Sequence, residues 1–149
     1  MTGTCQVFAS KVLNFLLTAG ATPLPGSVYI GLSTSAPVVA AAVGSQITTE
    51  PTIGTGNYAR VAIAQSTAVW STASAGSITN GNAAISFLQS NAAWSTGATT
   101  LGYWFLVDNA TTGGTQGVIA YGTITVPQAV NASGITLSFA TSQLTYSMA

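Results

Sequence analysis

A chain of 149 residues is long enough to bury a substantial core, yet this one carries only two cationic and two acidic side chains, Lys11 and Arg60, Glu50 and Asp108, and no histidine. An ordinary globular protein is about one quarter charged, and charge keeps free monomers hydrated and apart, so a surface of Ser, Thr, Asn, Gln, Gly and Ala points to a protein packed in an assembly. The alternative for such a surface is an extracellular Ser/Thr-rich domain. Neutralising a run of phosphates needs several cations, which excludes nucleic acid as a partner. The lone Cys5 cannot close an internal disulfide. With one Lys and two carboxylates besides, no metal cluster, nucleophile and base pair, or carboxylate pair in one cleft can be assembled, so neither an enzyme nor a cofactor is expected. No run approaches the ~20 apolar residues of a membrane span. The apolar stretch 12–21 imitates a signal-peptide core but lacks a basic start, so no cleavage is expected.

Residues 4–19 carry a helical pattern. Phe8, Val12, Phe15 and Leu16 recur at i, i+4, i+7 and i+8, Cys5, Leu13 and Leu17 widen the stripe, and Thr2 or Thr4 can cap the start while Gly20 stops it. Such a stripe either lies across an open face of a β-core or docks on another subunit. Pro23 and Pro25 then force an extended connection. Ser27–Ser33 reads as a strand with Val28, Ile30 and Leu32 on one face and Tyr29 and Gly31 on the other. From Thr34 to Asn57 no period is sustained, which predicts a long excursion loop able to mould to a neighbour.

Tyr58–Gln65 alternates as the next strand, with Arg60 on the face opposite Val61 and Ile63. Glu50 and Arg60 flank the Gly54–Asn57 turn and are expected to pair with each other, or with backbone carbonyls and a partner, because a buried guanidinium needs an acceptor. Ser71–Asn82 is turn material, Ala84–Gln89 a short strand, and Trp94 stands alone in a polar loop, either as a plug over the core edge or as a binding residue. The densest apolar matter is a hairpin, Leu101–Val107 and Val118–Val126, reversed by Asp108-Asn109 and Gly113-Gly114. Tyr103, Trp104 and Phe105 leave its first strand on alternating sides, so both faces need cover. Pro127 interrupts pairing, Ile135–Ala140 alternates strictly, and Leu144, Tyr146 and Met148 continue in phase. About seven strands and one helix predict a mainly β protein, an antiparallel β-sandwich in one domain, 1–149, with an N-terminal helix in 1–20 and a long excursion loop at 34–57.

The order of Val28-Tyr29-Ile30-Gly31-Leu32-Ser33, Glu50-Pro51, Gly56-Asn57-Tyr58-Ala59-Arg60-Val61, Ile85-Ser86-Phe87, Trp94, Phe105-Leu106-Val107-Asp108, Ile119-Ala120-Tyr121-Gly122 and Gln143-Leu144 resembles a family of small tailed-phage structural proteins. Members of that group are often labelled tail fibre proteins, and similar domains look like capsid cement or decoration proteins. The resemblance implies a non-enzymatic virion component, assembled in the host cytoplasm. The first expectation is a cement protein clamping neighbouring major capsid subunits; the alternative is a tail fibre or tail-tip part meeting host glycans through Trp70 or Trp94. Expected partners are the major capsid protein or further copies of the chain, in a homo-oligomer within the virion, with neither nucleic acid nor membrane. The candidate partner-binding residues are Phe8, Val12, Phe15, Leu16, Glu50, Arg60 and Trp94.

Overall fold

A computed structural model describes residues 3–4, 17, 27–38, 41–42, 45–75, 77–94, 100–111 and 117–147. Its strands, in chain order, are β1 (Gly3–Thr4), β2 (Val28–Ser33), β3 (Val61–Ile63), β4 (Ser77–Thr79), β5 (Ile85–Ser86), β6 (Leu101–Val107), β7 (Val118–Gln128), β8 (Ser138–Phe139) and β9 (Thr145–Ser147), with a 3-10 turn at Thr55–Asn57. One five-stranded sheet has the order β1-β7-β6-β2-β3, and two-stranded sheets pair β4 with β9 and β5 with β8. Every pairing is antiparallel. The fold is mainly β, as expected. However, the described strands make one principal sheet with two small ones beside it, where the sequence predicts two sheets of sandwich size.

The β6–β7 hairpin is the centre that the apolar run demands. Trp104, Phe105, Leu106 and Val107 are consecutive and all buried, so both faces of β6 are covered. Cross-strand partners share a face. Ile30 therefore stands beside Leu106 and Leu32 beside Trp104, while Gly31 stands beside Phe105 on the reverse. A buried aromatic group completes the core: the Tyr58 ring stacks on Phe87 at 6.2 Å and meets Trp94 edge-on at 5.2 Å, and Phe87 meets Phe139 edge-on at 6.5 Å.

Three expectations change. Thr4, the first residue of the predicted helix, pairs with Ala120 in β1, because the outer edge of β7 offers it a ladder. Leu17, which the sequence places in the apolar stripe, is 80 % exposed. Phe8, Val12, Phe15 and Leu16 lie outside the described residues, as does most of 4–19. Pro127 does not end β7. The ladder jumps from Tyr103↔Thr123 to Leu101↔Gln128, so residues 124–127 bulge out of register and the missing N–H of Pro127 breaks no bond.

The stretch 34–57 is tied back on itself where it is described. Thr34 N–H donates to the Thr49 carbonyl at 3.2 Å, and Val38 N–H to the Gln46 carbonyl at 2.8 Å. Gln46 is buried, and its Oε1 accepts the Val118 N–H at 2.7 Å, fastening this excursion to the start of β7. Ser71–Asn82 is not turn material alone, since Ser77–Thr79 pairs with Thr145–Ser147 as β4 with β9. Asn80, also buried, holds the C-terminal stretch by donating to the Ala140 carbonyl at 2.8 Å and accepting the Leu144 N–H at 2.8 Å.

Candidate functional site

Glu50 and Arg60 form the ion pair that their positions around the turn predict. Arg60 Nε donates to Glu50 Oε1 at 2.8 Å and Nη2 to Oε2 at 2.6 Å, a two-pronged match of planar guanidinium to carboxylate. The remaining nitrogen, Nη1, donates to the carbonyls of Asn109 and Thr111 beyond β6. The guanidinium also stands 5.4 Å from the centre of the Phe105 ring. Both side chains are inside the fold, 3 % exposed for Arg60 and 7 % for Glu50. Each charge is satisfied by the chain itself, and the pair joins the 34–57 excursion, the residue leading into β3 and the segment that follows β6.

Tyr58 extends this network. Beyond Ile30↔Val61, the last β2–β3 pair, the Tyr58 hydroxyl takes the place of a strand partner by accepting the Leu32 N–H at 2.9 Å. The same hydroxyl donates to Glu50 Oε1 at 2.9 Å. Burial pushes this phenol well above its ordinary value of 10.0, and the negative Glu50 beside it raises it further. In the unfolded chain it ionises near 10. Because the folded value is the higher one, the stability that this group contributes is complete below pH about 10 and is lost as pH rises from there toward the folded value. Chemical denaturation from pH 7 to 11 should therefore show a fall in stability above pH about 10 that is shallower in Tyr58→Phe. Identical alkaline slopes in the two proteins would refute the assignment.

Trp94 is the plug rather than an exposed platform. It is 5 % exposed, its indole N–H donates to the Gly56 carbonyl at 2.6 Å, and its backbone N–H donates to Val130 at 2.8 Å. Gly56 has to be glycine: its φ is +62°, and a Cβ there would stand 2.7 Å from the Ala92 carbonyl oxygen and 2.9 Å from the indole. Thus Glu50, Arg60 and Trp94 meet around one turn, 54–57, and what the geometry shows of them is a role in holding the fold. Tyr58, Gln46 and Asn80 complete that internal polar set, and the sequence reading passed over them.

Two surface depressions flank the central sheet. The first, about 420 Å³, is mainly apolar, with Val28, Leu106 and Ile119 of the sheet and Trp70 and Ile78 in its lining, and polar residues 65–67 and Ser71 also line it. The second, about 430 Å³, runs between the bulged half of β7 and residues 135–144, with hydroxyl and amide side chains on its walls. Among the described residues no three His, Cys, Asp or Glu side chains gather in a way that could hold a metal ion, and no helix is long and apolar enough to cross a membrane.

No curated protein matches the chain. Residues 3–147 of this mainly β chain match the family model described as podophage GP4 fiber I protein gp80, and the chain belongs to this family of tailed-phage virion structural proteins.

Proposed function

We propose that the chain is a non-enzymatic fibre component of a tailed-phage virion, built from copies of itself and presented to the host surface. The observation that carries this reading is the family match over residues 3–147, since the family is described by a fibre protein. It favours the fibre over the cement protein that the sequence alone suggested. Composition supports the same reading. With two cations and two anions in 149 residues, one of each already joined inside the fold, little charge is left to keep copies apart. The apolar residues Phe8, Val12, Phe15 and Leu16 are the proposed contact to a neighbouring copy. Assembly would take place in the host cytoplasm.

The test is localisation on intact particles with gold-labelled antibody raised against the chain. Label confined to projections from the tail or neck is the expected result. Dense label spread over the head would return the protein to the cement role, and particles without label would remove it from the virion.

A further inference from the structure

We propose that the cleft between β7 and residues 135–144 binds an uncharged saccharide. The proposal rests on the fibre reading only for where the sugar is met, on the host surface; the site itself is argued from its own chemistry.

The cleft exists because the central sheet departs from regularity beside it. Between the Tyr103↔Thr123 and Leu101↔Gln128 pairs, residues 124–127 leave the ladder, and Val126 is turned out to 66 % exposure. A bulge of this kind re-aims side chains that a regular strand would alternate between two faces. The opposite wall, 135–139, is strictly alternating, so Leu137 and Phe139 are buried at its base while Thr136 and Ser138 stay exposed.

The lining has a particular hydrogen-bonding state. Gln143 commits its Oε1 to the Ala140 N–H at 2.7 Å, which leaves its Nε2 as a donor. Gln128 commits its Nε2 to the Val126 carbonyl at 3.0 Å, which leaves its Oε1 as an acceptor. Both amides line the cleft, together with the hydroxyls of Thr125 and Ser138, each able to donate and accept. Trp104 and Leu137 contribute apolar surface to the same cleft. None of the lining residues is charged.

This combination selects among ligand classes. A phosphate or other anion needs a cation or a cluster of backbone N–H groups, and a lipid tail needs a predominantly apolar lining, closer to that of the depression beside Trp70. A sugar ring offers hydroxyls that donate and accept around its rim and C–H groups on its faces. It therefore matches paired amides and hydroxyls over an apolar floor. The volume, about 430 Å³, lies within the range of small-ligand sites and suits one or two rings.

The purified chain should be tested against immobilised neutral oligosaccharides of glucose, galactose, mannose, rhamnose and N-acetylglucosamine, with sialylated and sulfated counterparts, and each hit repeated in solution by saturation-transfer NMR. Binding of at least one neutral saccharide is expected. Thr125→Trp and Ser138→Trp, which fill the cleft from opposite walls at exposed positions, should each weaken it at least about tenfold, and Thr72→Trp elsewhere on the surface should leave it unchanged. Melting temperatures establish that each variant is folded, and either filling variant suffices if the other is not. Absence of binding to every neutral saccharide, binding of the acidic ones alone, or binding untouched by cleft filling would overturn the proposal. Particles that carry Ser138→Trp on their fibres separate the two readings: normal labelling with lost sugar binding supports both, and labelled fibres whose unsubstituted protein binds no sugar defeat this proposal alone.

Discussion

Arg60→Ala is expected to cost about 3–5 kcal/mol of unfolding free energy, because it leaves the Glu50 carboxylate inside the fold without its counter-charge. Three acceptors lose their donor together: the carboxylate, which accepted two bonds from Arg60, and the carbonyls of Asn109 and Thr111. The Phe105 ring loses the cation over its face as well. At 3 % and 7 % exposure water cannot replace those partners without opening the 34–57 excursion. Glu50→Gln in the Arg60→Ala background should recover part of the loss, since a neutral amide is cheaper to bury than an unpaired carboxylate, and a double-mutant cycle should give a coupling of about 2 kcal/mol or more. Chemical denaturation of the four proteins measures both quantities. A single Arg60→Ala loss below about 1 kcal/mol would mean that the pair is as weak as one on the surface.

That pair was legible in the sequence because its cause is local: two opposite charges on either side of a glycine-containing turn are brought together by the turn itself. The hairpin was legible for a different reason. A run apolar on both faces, Trp104 to Val107, has nowhere to go but the middle of a sheet, and β6 has the predicted bounds of Leu101 and Val107. Trp94 could be read as a plug, but its acceptor at Gly56 could not, because nothing near residue 94 announces a contact with residue 56. The same distance hid β4, in which one apolar residue, Ile78, stands among Ser, Thr, Gly and Asn while its partner β9 lies near the C-terminus.

Alternation misled in one place. Ile135–Ala140 has the most regular pattern in the chain, yet only Ser138–Phe139 is a strand, since β5 opposite is two residues long. Burial still follows the pattern, with Leu137 and Phe139 inside. Backbone contact also continues through the bonds from Phe87 N–H to the Leu137 carbonyl and from Ser90 N–H to the Ile135 carbonyl, both 2.9 Å. Alternation therefore reported which side chains are buried and not how far the ladder runs. Single buried amides such as Gln46 and Asn80 carry no pattern at all. Their role is fixed by which backbone groups the finished fold leaves without partners, and that is a property of the fold.

Gly31→Ala should cost about 3 kcal/mol although the substitution adds a single methyl group and normally favours a strand. Gly31 lies beside Phe105 across the β2–β6 ladder, and a Cβ built there would stand 2.3 Å from Cζ of that ring and 3.1 Å from Glu50 Oε1. The ring has no free direction to move, because Phe105 is 0 % exposed and packed beneath the Arg60 guanidinium. Glycine is needed here for the space that it leaves and not for a special backbone angle. The cost should therefore depend on the ring. Phe105→Leu removes the far end of that side chain, so the double variant with Gly31→Ala should be more stable than the sum of the two single losses predicts, by about 1 kcal/mol or more. Denaturation midpoints of the parent, the two singles and the double decide it: strictly additive losses would show that the added methyl finds its room elsewhere.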